Sequence, residues 1–203
     1  MDKALYYLSA LYIGLIPLEA ITVTEGISYG RPVFYALAVL SVLNLWKSYR
    51  VHPDMKHIKI LFIFILFASF SCLWSISVSR TFDQIAKLIQ YMMITLVATN
   101  YVNSWKKLRG YMIAYCLGCL YIGYLSLTNY DPTAYLRDDE DGNTNENAFM
   151  INYAIIFLLI ILNKDSLHKW LKYAIYGTIL TYAFFIFILG SRNGFIMLVI
   201  TLM

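Results

Sequence analysis

One arginine of this chain is hard to explain by packing. Arg192 lies in the run Gly190-Ser191-Arg192-Asn193-Gly194, between two strongly apolar stretches, Tyr173–Leu189 and Phe195–Met203. A charged side chain at membrane depth costs about 2.5–3.5 kcal/mol on insertion scales, so an arginine placed there marks a functional site by default. Its chemistry points to an anion. The guanidinium stays charged at any physiological pH, and its planar fork of N–H donors matches phosphate oxygens two at a time. Arg31, Arg80 and Arg137 join it, because the topology read below puts all four on one side of a membrane. Together they suggest a site for an anionic, diphosphate-bearing substrate.

The elements that must position these arginines are membrane spans. Hydrophobic residues make up 60% of the chain and charged residues 14%, against about 45–50% and about 25% in a soluble domain. Runs of about 18 or more mostly apolar residues read as spans. The sequence predicts seven spans, Ala4–Val23, Val33–Trp46, Ile58–Ile76, Asp83–Val102, Leu108–Leu127, Asn147–Leu162 and Tyr173–Gly190, of which Val33–Trp46 and Asn147–Leu162 are short. Phe195–Met203 begins an eighth. The expected fold is therefore all-α, a polytopic helix bundle forming a single integral-membrane domain over residues 1–203. The first run carries Pro17 and Glu19 and lacks a small-residue cleavage motif, so it reads as a true span rather than a signal peptide. Nine helical residues cover only about 14 Å of a hydrocarbon core about 30 Å thick, so the expectation is either a protein that continues past Met203 or a fragment or truncated reading frame.

Orientation follows from Lys and Arg in the short connections. Of the 16 basic residues, eleven fall on one face: Lys3, Lys47, Arg50, Lys56, Lys59, Lys106, Lys107, Arg109, Lys164, Lys169 and Lys172. Arg31, Arg80, Lys87, Arg137 and Arg192 fall on the other, together with Glu25, Asp83, Glu146 and the acidic run Asp138–Asp141. The amino terminus is thus expected in the cytoplasm, and the four arginines outside. The net charge of +4 is a topology signal. No basic, aromatic-interleaved patch suggests nucleic acid.

The long connection 128–146 is expected to be external. Asp131-Pro132 and Asp141-Gly142 are turn signals. Asn145 suits an N-cap for the following helix, with Glu146 favourable in its first turn. A calcium-loop reading fails, because placing Gly142 at loop position six puts Arg137 where a carboxylate is required. The acids read as a solvated loop, with Arg137 directed into an external vestibule. Cys116-x-x-Cys119 has redox or metal spacing but lies within a span with no second pair and no nearby His, so these cysteines read as small packing residues. No metal and no cofactor are expected. The 18 tyrosines read mainly as interfacial belts. Gly190-x-x-x-Gly194 fits either a helix-packing motif or a helix break at a site. Glu19 could pair with an arginine, carry a proton or snorkel.

Three segments carry a family resemblance. Leu73-Trp74-Ser75-Ile76-Ser77-Val78-Ser79-Arg80-Thr81-Phe82 resembles the segment after an early span in the bacterial O-antigen ligase and O-antigen polymerase family. Arg137 followed by Asn145-Glu146-Asn147-Ala148 resembles that family's Arg…Asn-x-Asn-x-x-Ala pattern. Gly190-Ser191-Arg192-Asn193-Gly194 resembles its Gly-Ser-Arg-x-Gly junction. The likeness covers roughly residues 58–203. Departures are Glu146 where Pro is frequent and Asn193 where Gly is frequent. Family members also continue through a large external loop and further spans, so this chain would be the amino-terminal half.

The resemblance implies a GT-C-like membrane glycosyltransferase of polysaccharide biosynthesis in the bacterial inner (plasma) membrane. Its donor would be a glycan on a polyprenyl diphosphate such as undecaprenyl diphosphate. Its acceptor would be a sugar hydroxyl, on the lipid A core for a ligase or on another lipid-linked repeat for a polymerase. Arg192 and Arg137 would bind the diphosphate with Arg80 as a third, and Asn145 and Asn147 would hydrogen-bond glycan hydroxyls. A general base is open: Asp83, Glu146 or a residue beyond Met203. Arg80 and Arg31 also suit interfacial anchors at span ends. Two readings from other classes remain: a transporter or flippase for anionic lipid-linked glycans, and a membrane scaffold without catalysis.

Overall fold

A computed structural model describes residues 2–18, 22–24, 27–28, 30–48, 56–128 and 144–203. The described chain is helical, apart from one two-stranded hairpin. Its helices are α1 (Asp2–Leu15), α2 (Gly30–Ser48), α3 (Lys56–Phe70), α4 (Val78–Tyr101), α5 (Trp105–Thr128), α6 (Thr144–Lys164), α7 (Lys169–Ile188) and α8 (Arg192–Leu202). Ile16–Leu18 and Ser71–Leu73 are 3-10 turns. The strands β1 (Thr22–Thr24) and β2 (Ile27–Ser28) pair antiparallel, Thr22 with Ser28 and Thr24 with Ile27.

Among the described residues, three helices are long and apolar enough to cross a membrane: Trp105–Thr128, Asn145–Lys164 and Lys169–Ile188. Lys3–Leu18, Gly30–Leu43, Ile58–Leu73 and Arg192–Leu202 are apolar but shorter. Helix α4 has the length, yet Asp83, Lys87, Gln90 and Asn100 interrupt its apolar sequence. The first expected span, Ala4–Val23, does not form as one helix. Pro17 falls in the 3-10 turn that follows α1, and Thr22-Val23-Thr24 is extended. Hydropathy cannot tell a β-branched strand from the end of a helix. At the other end of the scale, α6 is longer than the apolar run Asn147–Leu162 that announced it, because the polar residues Thr144–Glu146 are already helical.

The chain divides into two compact units, Met1–Ser9 with Pro32–Trp105, and Ala10–Arg31 with Lys106–Met203. In the first, α3 and α4 pack together across the 3-10 turn that joins them. The joint is held by a hydrogen bond of 2.6 Å between the Ser75 and Thr81 hydroxyls, and by Ser77 N donating to Ser75 Oγ. Ile65, Ile85, Ile94 and Val97 are buried here.

In the second unit α6 packs against both α7 and α8. The connections are short: Asp165–His168 joins α6 to α7 and Leu189–Ser191 joins α7 to α8. Short connections give antiparallel neighbours, so α6 and α8 run parallel with their amino ends at one end of the unit. Helix α6 buries one flank completely, with Ala148, Ile151, Asn152, Ala154 and Ile155 at 0% exposure. Polar side chains tie the neighbouring helices to it: the Tyr115 hydroxyl donates to Met150 O, Cys116 Sγ to Ala154 O and Cys119 Sγ to Met150 O. Tyr182 of α7 donates to Cys116 O. The cysteines therefore sit in the α5–α6 seam, and no cluster with metal-ligand potential occurs among the described residues. Close approach needs glycine at three points. Gly14 and Gly118 let the end of α1 lie on α5, and the ring of Phe185 occupies the space beside Gly123.

Candidate functional site

The Gly190–Gly194 run is both a helix break and a packing contact. Helix α7 ends as Gly190 turns to a left-handed backbone, φ 63°. Here glycine avoids the roughly 1–2 kcal/mol that a side chain would cost. Leu189 N donates to Phe185 O and Gly190 N to Phe187 O, which closes the last turn. Ser191 then takes an extended backbone and caps α8, its Oγ accepting from Gly194 N at 2.9 Å. Gly194 presses on α6, where a Cβ would come within 2.5 Å of the Ala148 Cβ.

Two side chains of α6 hold this turn in place. Ser191 Oγ donates to Asn145 Oδ1 at 2.7 Å. Asn152 Nδ2 donates both to Ala148 O, at 2.9 Å, and to Gly194 O of α8, at 3.0 Å. Asn152 is fully buried, so its two bonds are shielded from competing water, whereas the Ser191–Asn145 bond is partly buried. Arg192, the first residue of α8, is exposed and makes no hydrogen bond or ion pair among the described residues. The turn is rigidly clamped, and its cation stands out from it.

The electrostatics favour an anion. Each helix amino end carries about half a positive charge in its unpaired N–H groups. Here two such ends lie side by side and Arg192 adds a full charge. Glu146, exposed in the first turn of α6, is the carboxylate that these two first turns supply in return.

The remaining expected site residues are placed as follows. Asn145 lies inside the first turn of α6 rather than ahead of it as an N-cap, and its Oδ1 is taken by Ser191. Asn147 is half-buried on the same turn, and its Oδ1 is enclosed without a hydrogen-bond partner among the described residues. Arg80 occupies the first turn of α4, but its side chain lies outside the described residues. Arg137, Glu19, Glu25 and most of the expected external connection 128–146 also lie outside them. The sequence reading missed Asn152. The signal was present, since an amide inside the run Ile151-Asn152-Tyr153-Ala154 needs a partner as much as an arginine does.

Compared with known protein families, curated proteins and solved structures, the chain matches none of them.

Proposed function

We propose that this chain is part of a membrane glycosyltransferase that moves a glycan from a polyprenyl diphosphate onto a sugar hydroxyl at the external face, in the manner of an O-antigen ligase or polysaccharide polymerase. The observation that carries the reading is the clamped turn at Arg192, where a guanidinium without a partner among the described residues stands beside two helix amino ends. In such a transfer the acceptor hydroxyl gives its proton to a general base, its oxygen bonds to the anomeric carbon, and the bond from that carbon to the diphosphate breaks. Negative charge then collects on the leaving diphosphate, and fixed donors aimed at developing charge are usually the largest catalytic contribution. Arg192 binds that diphosphate, with Arg137 as a further ligand. Asn147 offers an amide to a glycan hydroxyl. Asn145 holds Ser191 and contributes to the site through that bond. The helices span the bacterial plasma membrane as a bundle with a cytoplasmic amino terminus.

The test is transfer of labelled glycan from a polyprenyl diphosphate donor by the full-length protein in detergent, without vesicles or a gradient. Wild type should transfer, and Arg192→Lys should lose most of the activity while inserting normally, because an ammonium cannot reproduce the bidentate fork. Full activity in Arg192→Lys removes the assignment. No transfer in detergent, with movement of the same glycan lipid across vesicles, would favour a transporter.

A further inference from the structure

At the opposite end of the α5–α8 unit, cations gather where helix stability does not account for them. Helix α5 opens with Lys106, Lys107 and Arg109, and α7 opens with Lys169 and Lys172. A first turn favours acids, because the helix dipole presents positive charge there. Neither α5 nor α7 has an acid in its first turn. Lys164, in the last turn of α6, completes six Lys and Arg residues. The Arg109–Asp165 ion pair, 2.7 Å, joins the start of α5 to the end of α6 and so places all six at one end. Asp165 is the one carboxylate within residues 106–109 and 163–173, and it pairs with Arg109.

Aromatic and apolar surface begins directly beside these cations. Trp170 and Tyr173 pack edge to face, with centroids 6.5 Å apart, and both are exposed. Tyr176 and Leu180 continue the same exposed strip along α7. Acidic protein or free phosphate would match the charges but not the strip. A bilayer leaflet presents both, phosphate at its surface and hydrocarbon just beneath, with Trp and Tyr preferred at the boundary.

We infer that this end of the unit is a docking surface for the headgroups of anionic phospholipids, with Lys106, Lys169 and Lys172 as its exposed contacts. Lipid held there stabilises the folded unit, because it binds the folded state and not the unfolded one. The experiment is thermal unfolding of the whole chain in nanodiscs of phosphatidylcholine, with and without phosphatidylglycerol. Added phosphatidylglycerol should raise Tm by several degrees in wild type. The shift should shrink at high salt, which screens exposed charges. Lys106→Gln/Lys169→Gln/Lys172→Gln should lose most of it, while Arg192→Gln should keep it. Inorganic phosphate added to phosphatidylcholine nanodiscs should give no shift. The inference is overturned if wild type shows no shift, if the shift resists salt, if phosphate reproduces it, or if Arg192→Gln abolishes it. Should the triple variant not fold, the salt and phosphate arms on wild type still decide.

Discussion

At one end of the α5–α8 unit, a single arginine stands on a turn fixed by three hydrogen-bonded side chains, Asn145, Ser191 and Asn152. At the other, six cations crowd the helix ends around one ion pair. The first arrangement invests in position and the second in number. A charge carried on a fixed turn suits recognition of one group at one place, because defined geometry is what makes a donor effective. A cluster on long, mobile side chains suits a diffuse partner such as a headgroup layer, where total charge matters more than the placement of any member. The difference teaches that charge count alone is a poor guide to a site. The support around each charge is the better one.

Several substitutions would break or sharpen this contrast. The largest effect is expected at the clamped end. Arg192→Lys should lower glycan transfer by about 100-fold, the scale of losing one donor aimed at developing charge. Lys172→Arg at the other end should change transfer little, as a rate assay on both variants would read. Next comes the helix contact that seats the turn. Gly194→Ala should destabilise by about 1–3 kcal/mol, the usual cost of overpacking, since the new methyl meets Ala148 at 2.5 Å. Unfolding in denaturant would measure it. Ser191→Ala removes both the α8 cap and the bond to Asn145, and should cost about 1 kcal/mol. Asn145→Ala combined with Ser191→Ala should cost less than the two single changes added together, and a double-mutant cycle would detect the coupling. Asn152→Leu should cost about 0.6 kcal/mol and no more than about 1.7, the range for hydrogen bonds between membrane helices. The smallest effect is expected at the basic end. Asp165→Asn breaks an ion pair whose arginine side chain is 36% exposed, so it should cost no more than about 1 kcal/mol, as thermal unfolding would read.

The helices α5, α6 and α7 were legible in the sequence because each rests on a long apolar run. Their ends were less so. Hydropathy marks the buried stretch, whereas a helix also includes its polar first turn, as at Thr144–Glu146 of α6 and Lys169–Lys172 of α7. Thr22 and Val23, inside the first expected span, are extended for a related reason, since an apolar residue such as Val23 counts the same in hydropathy whether helix or strand. Within the site, Arg192 could be read from one local fact, a charge between apolar runs. What supports it could not. Ser191 meets Asn145 across 46 residues and Asn152 meets Gly194 across 42, and no local pattern encodes which α6 residue faces the turn. Gly190 and Gly194 look like one spaced pair in the sequence, yet one frees the backbone and the other makes room for a neighbouring helix.

The central claim is that these two ends serve opposite faces of a membrane, with the Arg192 turn outside. Single cysteines in a Cys72→Ser background test it directly, since Cys116 and Cys119 are buried and positions 193 and 166 are both exposed. Asn193→Cys should react with an impermeant thiol reagent on intact cells, and Ser166→Cys only after the membrane is opened. Labelling of Ser166→Cys from outside, with Asn193→Cys protected until lysis, would contradict the account.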